Sequence, residues 1–119
     1  MSKRLLLPVA ITFLVATFSA CGADSPTSDA TINTCVPGTD TEKPHAIGAV
    51  RNTSSKTSNF FIRIEFHDSA GNRGSEGVDT IADVESGTTA PFDIKGLADA
   101  KGPLTCEVGT VRRTAAPGA

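Results

Sequence analysis

The side chains of this chain that could exchange protons or bind cations include two histidines and thirteen acidic residues. His67 and Asp68 are adjacent, and a histidine beside a carboxylate is an arrangement that general-base catalysis uses. Neighbouring residues of a β-strand point to opposite faces, so the sequence predicts instead that His67 faces solvent and that Asp68 opens a turn. No serine lies in a Gly-x-Ser-x-Gly motif. We therefore predict no catalytic residue and no enzymatic activity.

Metal binding has two candidate groups. His45, His67 and Asp68 could meet if the first two predicted strands pair, and an acidic stretch at residues 79–85 lies near a turn. A zinc site normally uses three or four protein ligands, and the acidic spacing is not that of an EF-hand calcium loop. Two exposed histidines and a solvated charged edge are the simpler interpretation. We predict no metal site and no cofactor.

The N-terminus has the pattern of an export signal. Residues 1–20 begin with Lys3 and Arg4 and continue into an apolar run that ends in small residues. The run is shorter than the roughly 20 apolar residues that span a bilayer. Phe18-Ser19-Ala20-Cys21 resembles the bacterial lipobox in its last three positions. The resemblance implies that the Cys21 sulfur carries a diacylglyceryl group and that Cys21 becomes the mature N-terminus. The alternative is an ordinary secreted protein with a free cysteine at that position.

Residues 21–34 are expected to be the lipidated cysteine and a flexible linker. They are small and polar and have almost nothing to bury, so they cannot offset the entropy cost of ordering. Such a linker would span about 20 Å. With Cys21 lipidated, Cys35 and Cys106 remain, and an oxidising compartment favours a disulfide between them. A metal or redox pair is the alternative, but no Cys-x-x-Cys spacing supports it.

Residues 35–113 alternate short apolar–polar runs with turn residues, without a helical period. The clearest strand covers residues 59–68, with Gly71 in the turn after it. We expect Val50 and Ile47 to face inward, a bulge at Gly109, a helical turn at residues 97–100 and a disordered tail at 114–119. The predicted strands cover residues 45–52, 59–68, 76–82, 88–95 and 104–113. This pattern predicts an all-β fold, a small β-sandwich of about six or seven strands.

Three segments resemble the FxLYD-type domains of bacterial envelope lipoproteins. They are Gly48-Ala49-Val50-Arg51-Asn52-Thr53-Ser54, Ile64-Glu65-Phe66-His67-Asp68-Ser69-Ala70-Gly71 and Val84-Glu85-Ser86-Gly87-Thr88-Thr89-Ala90-Pro91-Phe92. The resemblance covers most of residues 35–113. It implies an immunoglobulin-like surface domain and carries no catalytic residues.

The surface predictions follow from the charge and from the alternation of the main strand. A net charge of −2, without a clustered basic face, gives no reason to expect a nucleic-acid partner. Alternation places Phe61 on the outer face beside Arg63, where these two residues could contact a partner. The alternative is that Phe61 lies under a loop. We expect a monomer, lipid-anchored on the extracytoplasmic face of the cell membrane, that presents its domain for protein or envelope interactions. The alternative is a surface lipoprotein that captures a ligand or metal.

Overall fold

The computed structural model describes residues 23–118, so the predicted signal peptide and Cys21 lie outside the described residues. The described chain contains seven β-strands and one 3-10 turn, at Thr27–Asp29. The strands are β1 (Ala23–Asp24), β2 (Ala30–Val36), β3 (His45–Arg51), β4 (Ser58–His67), β5 (Arg73–Val84), β6 (Thr89–Lys95) and β7 (Thr105–Ala115). They form a four-stranded sheet, in the order β1-β7-β4-β5, and a three-stranded sheet, in the order β2-β3-β6. All pairings within these sheets are antiparallel, and the predicted all-β sandwich is confirmed.

The core lies between the two sheets, and β4 contributes most of its large side chains. Every second residue of β4 is fully buried, because successive side chains of a strand point to opposite faces. The facing sheet contributes Val50, Phe92 and Ile94, which are also buried. The buried members of β4 are Ser58 and four apolar residues, Phe60, Ile62, Ile64 and Phe66. Because these side chains point inward, the residues between them lie on the other face of β4.

The two sheets are joined at both edges. The predicted disulfide is confirmed: Cys35 of β2 is bonded to Cys106 of β7, with their Cα atoms 5.6 Å apart. At the opposite edge β5 and β6 approach so closely that a Cβ at Gly77 would collide with the Lys95 carbonyl oxygen. Leu97 N also donates to Glu76 O at 2.8 Å there. A covalent bond closes one edge and a close backbone approach closes the other.

The sandwich starts earlier than the sequence predicted. Residues 30–34 were expected to belong to a flexible linker, but Ala30 begins β2, pairs with Val50 and is only 6% exposed. Ser25 N already donates to Val111 O at 2.8 Å. The reason is backbone pairing: hydrogen bonds to β3 and the packing of Ala30 and Ile32 compensate for an otherwise polar segment.

The C-terminal boundary also differs from the prediction. β7 extends to Ala115, and Ala116 is 6% exposed and donates its N–H to Thr57 O at 2.9 Å. The expected disordered tail at 114–119 is therefore wrong for residues 114–116. The predicted bulge at Gly109 is confirmed, since the register with β4 shifts there between Thr110 and Val108.

Two local predictions fail for simple geometric reasons. Ile47 is exposed while Val50 is buried, because residues three apart in a regular strand lie on opposite faces. Residues 97–100 form no helical turn: residues 97 and 98 form a bend, and residues 99 and 100 are irregular. The first of these errors could have been avoided from the alternation alone.

Candidate functional site

The candidate site lies on the solvent-facing side of β4 and its two neighbours, called here the outer face. Its register is set by the strand pairs, which place Glu65 opposite both Glu76 of β5 and Glu107 of β7. The outer face is formed by Phe61, Arg63, Glu65, His67, Glu76, Val78, Thr80, Thr105, Glu107, Thr110 and Arg112. Phe61 and Val78 lie toward one end of this face, and Glu65, His67 and Glu107 lie toward the other.

Arg63 organises the middle of the outer face. Its Nη1 lies 2.6 Å from Glu65 Oε2 and 3.6 Å from Glu76 Oε1. Its Nε and Nη2 donate to Thr110 Oγ1 at 3.3 and 3.2 Å. A Cβ at Gly109 would lie 2.8 Å from Arg63 Nη2, so the guanidinium occupies space that the glycine leaves. Arg63, predicted to contact a partner, is thus held by neighbours within the chain.

Glu65 is held ionised by this arrangement. The hydrogen bond from Arg63 is the largest cause that lowers the pKa of Glu65 below its ordinary value, and partial burial opposes it. The bond with His67 and the positive charges of Arg63 and Arg73 lower this pKa further. One carboxylate oxygen of Glu65 is bound to Arg63, and the other faces His67.

His67 lies between two carboxylates. Its Nε2 is 3.1 Å from Glu65 Oε1 and 3.4 Å from Glu107 Oε1. Its Nδ1 lies 3.3 Å from the Gly71 carbonyl oxygen, to which a protonated Nδ1 can donate a hydrogen bond. Glu65, His67 and Glu107, called here the Glu–His–Glu cluster, have ligand atoms that all lie within 4.8 Å of one another.

The turn after β4 positions the ring of His67. Asp68 Oδ1 accepts hydrogen bonds from Ala70 N and Asn72 N, both at 2.9 Å, and Gly71 adopts φ +86°. The predicted role of Asp68 as a turn residue is confirmed, and these bonds fix the Gly71 carbonyl beside the histidine. Beside the cluster lies an open depression of about 350 Å³, lined by His67, Asp68, Ser69, Gly71, Thr105 and Glu107.

The two metal groups considered from the sequence do not form. His45 lies on β3 in the other sheet, where its Nδ1 is 2.6 Å from Asp93 Oδ1, so it does not join His67. Within residues 23–118, the Glu–His–Glu cluster is the one group of three potential metal ligands, and the acidic stretch at 79–85 contributes none. Sequence reasoning missed Glu65 and Glu107. The i, i+2 spacing of Glu65 and His67 could have indicated that these two side chains share one face of a strand. No feature of the sequence indicated that Glu107 would lie beside them.

Phe61 is exposed, as the alternation predicted. Its side chain is 39% exposed, and Val78 of β5 is 40% exposed. Phe61 pairs with Thr80 and Arg63 pairs with Val78, so Phe61 and Val78 are diagonal neighbours on the outer face. Together they form a small apolar patch next to the Arg63 network.

Comparisons with known proteins add no relative: no protein-family model, no curated protein and no solved structure matches this chain. The resemblance to FxLYD-type domains therefore stays a prediction. Within residues 23–118, no helix is long and apolar enough to cross a membrane.

Proposed function

We propose that this protein is a lipid-anchored component of a bacterial cell envelope that presents a non-catalytic β-sandwich on the extracytoplasmic side of the membrane. The observation that carries the proposal is the sequence Ser19-Ala20-Cys21 at the end of an apolar run. The disulfide supports it, because Cys35 and Cys106 are bonded to each other and leave Cys21 as the one cysteine without a partner thiol in the chain. A disulfide is also typical of exported domains.

The start of the folded domain sets its distance from such an anchor. Ala23, which is two residues after Cys21, pairs with Arg113. A lipid on Cys21 would therefore attach next to the edge of the four-stranded sheet. The domain would then lie against the lipid surface instead of about 20 Å away from it. Two acyl chains or more would give stable anchoring, at about 0.8 kcal/mol for each buried methylene.

This attachment would also orient the outer face. β4 and β7 are antiparallel, and the Phe61 end of β4 pairs with Arg112, next to β1. His67 is six residues further along β4, which corresponds to about 20 Å at roughly 3.3 Å per residue. The apolar patch of Phe61 and Val78 would face partners near the membrane, and the Glu–His–Glu cluster would lie farther from it.

The proposed role of the apolar patch is contact with a protein partner in the envelope. Phe61 can supply apolar contact area. Arg63 next to it is held in a fixed position by its hydrogen bonds to Glu65 and Thr110. The second candidate function, capture of a ligand or metal by a surface lipoprotein, is favoured by the Glu–His–Glu cluster.

The experiment that tests the anchor is the intact mass of the protein from the membrane fraction, before and after reduction. We expect a mass that corresponds to cleavage before Cys21 plus acyl groups, with a gain of about two hydrogens on reduction. Cys21→Ser should lose the acyl mass and leave the membrane fraction.

The matched control is the double variant Cys35→Ser/Cys106→Ser. It should keep the acyl mass and lose the gain on reduction, because the disulfide cysteines are not the lipidated one. A wild-type protein found in the medium without acyl groups, with Cys21 free, would overturn the proposal.

A further inference from the structure

We propose that Glu65, His67 and Glu107 form a binding site for a divalent first-row transition metal of the zinc type. The three residues supply one imidazole nitrogen and two carboxylate oxygens, and the depression beside them leaves a fourth position for water. The site lies within the folded domain and does not depend on the proposed lipid anchor.

The distances between the ligand atoms fit a tetrahedral metal. Zinc lies about 2.0–2.2 Å from nitrogen and oxygen ligands, which places neighbouring ligand atoms of a tetrahedron roughly 3.3 Å apart. Here Nε2 of His67 is 3.1 Å from Glu65 Oε1 and 3.4 Å from Glu107 Oε1. Nε2 is therefore already at the separation from each of the two carboxylate oxygens that a bound ion would require, and all three ligand atoms lie within 4.8 Å of one another.

The orientation of the His67 ring suits a metal ligand. Its Nε2 is the atom that faces both glutamates, and its Nδ1 lies 3.3 Å from the Gly71 carbonyl oxygen on the other side of the ring. In the tautomer with the proton on Nδ1, the lone pair of Nε2 is available to a metal ion. Histidines that bind metals commonly donate their other N–H to a backbone carbonyl, as His67 can in this tautomer.

The surrounding residues hold the ligands in place. Arg63 binds Glu65 Oε2 at 2.6 Å and leaves Oε1 for the metal. Glu65 and His67 share one face of β4 because they are two residues apart, and the register with β7 brings Glu107 opposite Glu65. Backbone pairing thus fixes two of the three ligands on a rigid strand.

The choice of metal follows from the donor atoms. An imidazole suits zinc, copper, iron and nickel, whereas calcium and magnesium prefer sites made of oxygen alone. No thiolate belongs to the cluster. The Glu107 side chain is 65% exposed, so it can shift toward an ion and the site stays open on one side.

The test is isothermal titration calorimetry of the untagged full chain, purified in detergent, with zinc chloride. We expect one zinc ion per chain, with magnesium chloride giving no heat of binding at the same concentrations. His67→Gln should abolish zinc binding, and Glu107→Gln should weaken it at least about tenfold, since loss of even an indirect metal contact typically costs that much.

The matched control is His45→Gln, which removes a histidine paired with one carboxylate, Asp93, on the other sheet. It should leave the zinc affinity unchanged. Zinc should also raise the melting temperature of the wild type and of His45→Gln but not that of His67→Gln.

Two results would overturn the proposal. If the wild type binds no zinc, the Glu–His–Glu cluster is a hydrogen-bonded network of the outer face and not a metal site. If His67→Gln and Glu107→Gln bind zinc as tightly as the wild type, the metal lies elsewhere. Circular dichroism of each variant establishes that it is folded, and Glu107→Gln keeps the test valid even if His67→Gln does not fold.

Discussion

The two faces of β4 differ sharply in burial and in chemistry. Phe60 is fully buried, and its sequence neighbour Phe61 is 39% exposed. The inner row packs against the other sheet, whereas the outer row ends in Arg63, Glu65 and His67, which bond to one another and to adjacent strands. The same strand therefore supplies the core on one side and a charged network on the other.

This difference separates the residues that stabilise the fold from those that could carry function. Changes on the inner face remove buried apolar contacts and leave cavities, and both lower the free energy of unfolding of a small domain substantially. Changes on the outer face alter charges and contacts that water can partly replace. The four predictions below test this separation, in order of decreasing effect.

The largest effect is expected from a pair of matched substitutions, Phe60→Ala and Phe61→Ala. Phe60→Ala should lower the free energy of unfolding by about 3–5 kcal/mol, because it empties a buried site. Phe61→Ala should cost less than about 1 kcal/mol. Urea unfolding followed by circular dichroism measures both values. Equal losses would show that the two faces of β4 do not differ in the way described.

The disulfide next to the inner face should have the second largest effect. Cys35→Ser/Cys106→Ser should lower the free energy of unfolding by about 2–4 kcal/mol, because the bond closes a segment of 71 residues. Cys106 pairs with the buried residue Phe66, so removal of the disulfide should destabilise the strands beside the core and leave the outer face unchanged. Reduction of the wild type should reproduce the loss. An unchanged urea midpoint after complete reduction would contradict this prediction.

The pH dependence of stability tests the network of the outer face. The pKa of Glu65 is lowered in the folded state, so its ionised form stabilises the fold above its ordinary value of 4.5. That stabilisation is lost as the pH falls from about 4.5 through the lower folded-state pKa. Glu65→Gln should flatten the decline in this window, by less than about 1 kcal/mol because the pair is partly exposed.

The measurement is the melting temperature between pH 6 and pH 3, at fixed ionic strength. Glu42→Gln, at an exposed position away from the Glu–His–Glu cluster, removes one negative charge and is the control. Identical slopes for Glu65→Gln and the wild type would show that Arg63 does not stabilise the Glu65 carboxylate.

The smallest effect is expected from Val78→Thr. The substitution keeps a β-branched side chain at a position that is 40% exposed, so the free energy of unfolding should change by less than about 0.5 kcal/mol. Thermal unfolding measures it. A loss above about 2 kcal/mol would mean that the apolar patch is packed and unable to serve as a contact surface.

Several features of the fold could be predicted because they depend on near neighbours in the sequence. The alternation of residues 59–68 identified β4 and its buried row, and the glycines identified the turn at Gly71 and the bulge at Gly109. The disulfide was predicted from the two cysteines that remain once Cys21 is assigned to the predicted lipidation site. β2 was missed because its seven residues are mostly polar and gain their stability from pairing with β3.

The sequence by itself determined the strand periodicity, the turns and the residue types on each face, because strand geometry repeats every two residues. Only the tertiary structure decided which of those residues meet. Glu107 is 40 residues from His67 in the chain and reaches it through the register of β4 with β7. That register depends on the packing of the whole sheet and on the bulge at Gly109, and the local sequence pattern does not specify it.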